Sequence, residues 1–177
     1  MKSVLIVVSL GLLWAQEAFA ESITRPVSRI NPVIIFDATD SPQEYCLALN
    51  IYYEARSSNL ADKAAVADVV INRVLDTRYP NTICEVVKQG KQHANGQMKL
   101  NKCQFSWYCD GKSDTPMDTS NWAEAQQISF NLYNFANYRG ITEGATHYHA
   151  EYIKSPNWTS ELQLVGRIGS HIYYRWE

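Results

Sequence analysis

In the stretch CLALNIYYEARSS, residues 46–58, Leu47, Ile51 and Glu54 follow one another at intervals of four and three. On a helix that spacing puts all three on one stripe, so a carboxyl is aimed along an apolar face. Two kinds of chemistry fit. Glu54 can pair with Arg56, Arg73 or another base and hold two helices together, as buried ion pairs do. Or, backed by Ile51, Tyr52 and Tyr53, it is partly desolvated. Desolvation disfavours the carboxylate and raises the pKa, which leaves an acid able to hand over a proton near neutral pH.

Other side chains could share a site with it. In ATHYHAEY, His147 and His149 are two apart, so on a strand they point the same way with Tyr148 opposite. They read as the wall of a cleft, as ordinary surface or core histidines, or as two ligands of a metal. A metal would need a third ligand, for which His171 and Glu151 are available, but the chain has no H-E-x-x-H pattern. Gln104, Phe105, Ser106, Trp107 and Tyr108 lie between two cysteines and read either as a cleft lip or as a loop stapled to the core. As a lip, the aromatic rings would stack on sugar rings while Gln104 and Ser106 bond hydroxyl or acetamido groups. Asp110, Asp114, Asp118 and Glu143 are candidates for a second carboxyl, with Asp110 and Glu143 reading also as turn formers beside glycines. Asn72 and Arg73 follow an apolar stripe and are expected to orient the first helix.

The cysteines are Cys46, Cys84, Cys103 and Cys109. An even number in an exported chain implies two disulfides, and the spacing leaves all three pairings open. Structural zinc competes weakly, because no two cysteines form a C-x2-C pair. A Cys103 thiolate paired with His147 or His149 is a further nucleophilic alternative.

The elements that must position these residues follow from capping and periodicity. Ser41-Pro42-Gln43-Glu44 reads as a capped helix start, predicting a first helix to about Arg56, broken by Ser57-Ser58-Asn59. A second helix is predicted over about 61–75, with Val66, Val69, Val70 and Val74 on one side and small alanines permitting close approach. TICEVVKQ reads as a short helix or extended piece, residues 90–120 as loop, and 122 to about 138 as a third helix. GATHYHAEYI and LVGRIGSHIYYRW alternate and are rich in β-branched and aromatic residues, predicting two short strands. The fold class is therefore α+β, mostly α-helical, with a small antiparallel β element near the C-terminus.

Ahead of this, Lys2, the apolar run VLIVVSLGLLW and the small-x-small AFA ending at Ala20 have the order of a secretory signal. The run is shorter than the roughly 18–20 residues of a membrane-spanning helix. The domain expectation is a signal at 1–20, an extended arm at 21–40 and a catalytic domain at 41–177. That implies a secreted or periplasmic protein of the cell envelope, with no membrane span after signal cleavage. A net charge of −2 offers no electrostatic reason for nucleic acid.

CLALNIYYEAR, AVADVVINRV, YPNTICEVV, CQFSWYCDG, EGATHYHA and RIGSHIYYR, in that order, resemble the blocks of the SleB-type cell wall hydrolases, a family that includes spore-cortex-lytic enzymes. The resemblance spans about residues 44–176. It implies a lysozyme-like domain that cleaves peptidoglycan glycan strands between N-acetylmuramic acid and N-acetylglucosamine. It also implies that the acid of the Y-x-E-A-R block, Glu54, is catalytic, and it favours the 147–149 segment as a cleft wall. The family often continues E-A-R-G-E, where this chain has Ser57-Ser58, so the second acid of that block has no counterpart. A lytic transglycosylase needs only one carboxyl, acting as acid and then as base, and this is the expected mechanism. It calls for no cofactor and no metal, and a monomer is expected. A zinc-dependent N-acetylmuramoyl-L-alanine amidase and a non-catalytic wall-binding module are the alternatives.

Overall fold

The structure, a computed structural model, describes residues 36–177. The signal at 1–20 and the arm as far as residue 35 lie outside the described residues. The last residues of the arm make a turn at Asp37, whose carboxylate accepts the Thr39 and Asp40 amides. The chain then enters α1 (Pro42–Ala55). Pro42 presets the first helical φ and Glu44 stands in the first turn, while the Ser41 hydroxyl makes no capping bond, so the expected start signal operates without its cap.

Helix α1 is buried nearly all round, with Leu47, Ala48 and Ile51 fully enclosed. It carries the core. Helices α2 (Leu60–Leu75), α3 (Ile83–Val87) and α4 (Thr119–Phe135) all pack on it. Leu47 and Ile51, so enclosed, each contribute roughly 1.5–3 kcal/mol. Polar groups at these contacts are partly matched, the Asn50 Nδ2 having no partner among the described residues. Ser129 of α4 donates to the Glu44 carbonyl (2.8 Å), and Trp107 donates to the buried Asn50 side chain (3.1 Å).

The helix starts are set by side-chain caps. Asn59 accepts the Asp62 amide ahead of α2, Thr82 accepts the Glu85 amide ahead of α3, and Asp118 accepts the Asn121 amide ahead of α4. The Asp118 cap starts α4 three residues before the predicted 122, and Ala136 in the left-handed region stops it before the predicted 138. The Cys46–Cys84 disulfide ties α1 to α3, and Cys103–Cys109 closes a short loop; no free cysteine remains.

Residues 90–120 are not all loop. Strands β1 (Gly90–Gln92) and β2 (Met98–Cys103) form an antiparallel hairpin around Asn95-Gly96, with Gly96 at φ +83°, followed by a 3-10 turn at Ser106–Cys109. The hairpin is exposed on both faces, so it lacks the apolar alternation that marks most strands. Its Asn-Gly pair is the one local signal it carries. Residues 86–109 hold Lys88, Lys91, Lys99 and Lys102 and no acidic residue.

The C-terminal region holds three strands rather than two. β3 (His147–Ala150) and β4 (Gln163–Ile168) flank β5 (His171–Arg175), all antiparallel. LVGRIGSHIYYRW turns back on itself at Gly169-Ser170, where Gly169 has φ +58° and lies against the Asp62 side chain of α2. Tyr148 is opposite Tyr173, and Ala150 opposite His171, so these share one face; His147 and Tyr174 share the other.

Asn72 and Arg73 do not orient α1. With Asp68 they hold the segment leading into β3. Asp68, wholly buried, accepts the Thr142 hydroxyl (2.6 Å) and the Thr142 and Gly140 amides. Asn72 donates to the Ala145 carbonyl (2.9 Å), and Arg73 Nε donates to the Thr146 carbonyl (2.7 Å). One face of α2 thereby sets where the sheet begins.

Candidate active site

Glu54 stands one residue before the end of α1, at the base of a cleft of about 470 Å³. Three elements meet there. The last turn of α1 brings Tyr53 and Glu54, the loop after β2 brings Gln104, Phe105, Ser106 and Trp107, and the sheet brings Tyr148 and His171. Tyr53 and Trp107 stack with ring centroids 4.7 Å apart and planes 19° from parallel, a rigid aromatic wall. The Cys103–Cys109 bridge closes the loop that carries this lip.

The Tyr148 hydroxyl donates to Glu54 Oε2 at 3.1 Å. Burial raises the Glu54 pKa above its ordinary value, against the opposing pull of that hydrogen bond, of His171 when its ring is protonated, and of the Arg73 charge. Burial and the nearby carboxyl push the Tyr148 phenol well up, so it remains a donor. Among the described residues Glu54 makes no ion pair, so the expected pairing with Arg56, Arg73 or another base does not form.

Arg73 is the nearby guanidinium, and its Nε is committed to Thr146. Its charge lies over the rings of Phe105 (5.0 Å) and Tyr79 (5.4 Å), and Nη1 has no hydrogen-bond partner. Arg73 lines the cleft, a placement its helical stripe did not foretell.

On the far side, Asp62 is wholly buried on α2 and gathers the turn between β4 and β5. It accepts from His171 Nδ1 (2.7 Å), the Ser170 hydroxyl (2.7 Å), the Ser170 amide (3.1 Å) and the Tyr173 hydroxyl (3.2 Å). Burial alone would raise the Asp62 pKa. The bonds from His171 and Ser170 outweigh it and hold the carboxyl below the usual carboxylate range.

Of the residues expected at the site, Glu54, Gln104, Ser106, Trp107, Tyr148 and His149 line the cleft. His147 does not. It bonds Thr146 Oγ1 and packs among Tyr79, Trp158 and Trp176, and burial with the charges of Arg73 and Arg78 pushes its pKa down to about 4. The two-residue period correctly separated Tyr148 from the histidines, but it is Tyr148 that reaches the acid. His149 has both ring nitrogens occupied, by the Ala150 carbonyl and the Tyr174 hydroxyl. Among the described residues no three metal-ligating side chains converge, so His147 and His149 do not form the pair that a metal would need. With all four cysteines bridged, Cys103 is no nucleophile.

No second carboxyl joins Glu54; among the described residues it is the only acid lining the cleft. Asp110 accepts the Lys112 amide in a turn, Asp118 caps α4, and Asp114 lines a different cavity beside Tyr45 and Leu49. Glu143 is exposed in a left-handed turn. Trp158, Tyr152 and Ile153 also line the cleft and were not anticipated; Pro156-Asn157-Trp158 was a visible aromatic-bearing turn. A separate groove of about 510 Å³ among Ile71, Ile83 and Leu132 contains no acid.

The sequence pattern of the Cell Wall Hydrolase family matches residues 57–174, beginning just past Glu54. In solved structures, the chain is similar to the catalytic domain of the germination-specific lytic transglycosylase SleB from Bacillus anthracis. The TM-score is 0.51 at 20% identity, over 80% of this chain and 100% of that one. It is also similar to the catalytic domain of the Bacillus cereus SleB protein, with a TM-score of 0.49 at 23% identity, over 76% and 91% of the two chains. No curated protein matches the chain. At 20% identity the likeness to the first of these structures is one of fold: a helix-rich α+β domain.

Proposed function

The chain belongs to the cell wall hydrolase family, and from that premise we propose that it cuts the glycan strand of peptidoglycan between N-acetylmuramic acid and N-acetylglucosamine, with Glu54 as the acid. The observation that carries this reading is a solitary carboxyl in an aromatic-walled cleft, biased by burial toward its protonated form and held by a tyrosine donor. Ordinary glycosidases place a second carboxyl roughly 5–9.5 Å away, and the cleft offers none. A one-carboxyl route suits it better. Glu54 gives its proton to the departing glycosidic oxygen, and the muramic acid C6 hydroxyl attacks the anomeric carbon to close a 1,6-anhydro ring. In the simplest version the new carboxylate then takes that hydroxyl's proton.

Tyr53 and Trp107 offer faces for pyranose rings, and Gln104 and Ser106 supply polar groups on the same lip. We assign residues 1–20 to an export signal, since the substrate lies outside the cytoplasmic membrane and paired cysteines belong in an oxidising compartment. Digestion of purified sacculi followed by mass spectrometry tests the reading. Anhydro-muropeptides from the parent and none from Glu54→Gln are expected. Reducing ends alone would mean hydrolysis, freed stem peptides would mean amidase activity, and binding without any product would mean a wall-binding module.

A further inference from the structure

The cleft holds a second titratable group that the reading above leaves idle. His171 opens β5 and is 7% exposed, yet it lines the same cleft as Glu54. Its Nδ1 is fixed by Asp62 Oδ1 at 2.7 Å, and Asp62 is itself locked by Ser170 and Tyr173. That is a carboxylate–imidazole pair with its orientation set by the protein rather than by a ligand. The remaining nitrogen, Nε2, has no partner among the described residues and is not sealed from solvent. With the ring among the residues that line the cleft, Nε2 is the nitrogen left free to act there. The groups around the ring come from every neighbouring element. They are Glu54 from α1, Asp62 from α2, Tyr148 from β3 with its ring edge-on at 5.1 Å, and Tyr173 from β5 with its centroid at 6.3 Å. Arg73 of α2 lines the same cleft.

A buried aspartate on one ring nitrogen fixes the tautomer and steadies the imidazolium that forms when the other nitrogen takes a proton. We propose that His171, oriented by Asp62, is the group that accepts the proton of the attacking hydroxyl, so that Glu54 acts as acid alone. This rests on the glycan-cleaving reading and deepens it. The proton balance closes. The carbon–oxygen bond to the leaving sugar breaks as that oxygen takes the Glu54 proton. The hydroxyl oxygen bonds to the anomeric carbon as its own proton passes to His171 Nε2. The site is left as carboxylate and imidazolium, and one proton moved across the cleft through water restores it.

The division of labour has a signature that a structural histidine lacks. Turnover needs Glu54 protonated and His171 neutral, so the rate falls on the alkaline side through the first group and on the acid side through the second. The test measures product release from purified sacculi against pH for the parent, Glu54→Gln and His171→Ala, with melting curves for each. His171→Ala should lose roughly 100-fold or more in kcat, keep its KM and lose the acid limb. Added imidazole should restore part of the rate through the space that the missing ring leaves. If His171→Ala does not melt cooperatively, His171→Gln takes its place for the rate and the acid limb. A folded variant within about threefold of the parent rate, with both limbs intact, would overturn the proposal. So would a slow variant that keeps both limbs and ignores imidazole. A parent that releases no glycan product removes the underlying reading as well, whereas a dead Glu54→Gln beside an unimpaired His171→Ala removes only this one.

Discussion

Residue by residue, the site is governed by what burial does to Glu54. Its folded-state pKa lies above the ordinary carboxyl value, so the folded chain binds this proton more tightly than the unfolded chain does. The sign follows. The contribution to stability is complete below the unfolded pKa and is lost as pH rises through the folded one. Glu54→Gln, which has no charge to bury, should therefore melt higher than the parent at neutral pH, with the gap closing below about pH 4; thermal scans across that range read it directly. Tyr148→Phe removes a donor that favours the carboxylate. The acid should then keep its proton to higher pH and the alkaline limb of kcat/KM should move upward; a limb that stays put or moves down would contradict the assignment. The placement of Glu54 was legible in the chain, because three residues at helical spacing suffice to place a side chain on a face. Its partners were not. Arg73 and His171 come from segments whose local pattern says only helix and strand, and their meeting at Glu54 is a tertiary fact.

At the level of elements, the turn between β4 and β5 does more than reverse the chain. A Cβ on Gly169 would overlap the Asp62 side chain, and the φ of +58° already disfavours other residues. Gly169→Ala should cost about 1–3 kcal/mol in urea unfolding. Because the overlap displaces the carboxylate that fixes His171, it should also lower turnover in the molecules that remain folded. The two disulfides divide differently. Loop-closure entropy assigns roughly 4 kcal/mol to Cys46–Cys84, with a separation of 38, and roughly 2 kcal/mol to Cys103–Cys109, with a separation of 6. The double serine variant of the first pair should lose more in denaturant midpoint, while that of the second should lose more activity for its stability, since it frees the lip. Helices α1 and α2 were readable to within a residue or two because Pro42 at the start and Ser57-Ser58-Asn59 between them mark their ends. The hairpin β1–β2 was not, since strands wet on both faces carry no apolar period, and only Asn95-Gly96 marked the turn.

Taken whole, the domain is one helical core with its candidate site at the seam where α1, the stapled lip and the small sheet converge. The class was legible from the order of helical and alternating segments. The seam was not, because it depends on the polar face of α2, where Asp62, Asp68, Asn72 and Arg73 all fasten the C-terminal region. A near-neutral total conceals an uneven distribution. The four lysines of residues 86–109 are answered by no acid in that stretch, and this hairpin runs straight into the lip at Gln104. On the proposed substrate, stem-peptide carboxylates would meet that arm first, and mobile ions would loosen the hold within a Debye length of about 8 Å at physiological salt. Dwell time on an intact wall and release from it should then pull against each other. Turnover on whole sacculi is expected to peak at intermediate ionic strength, while short soluble glycans, too small to span arm and cleft together, should show a flat response.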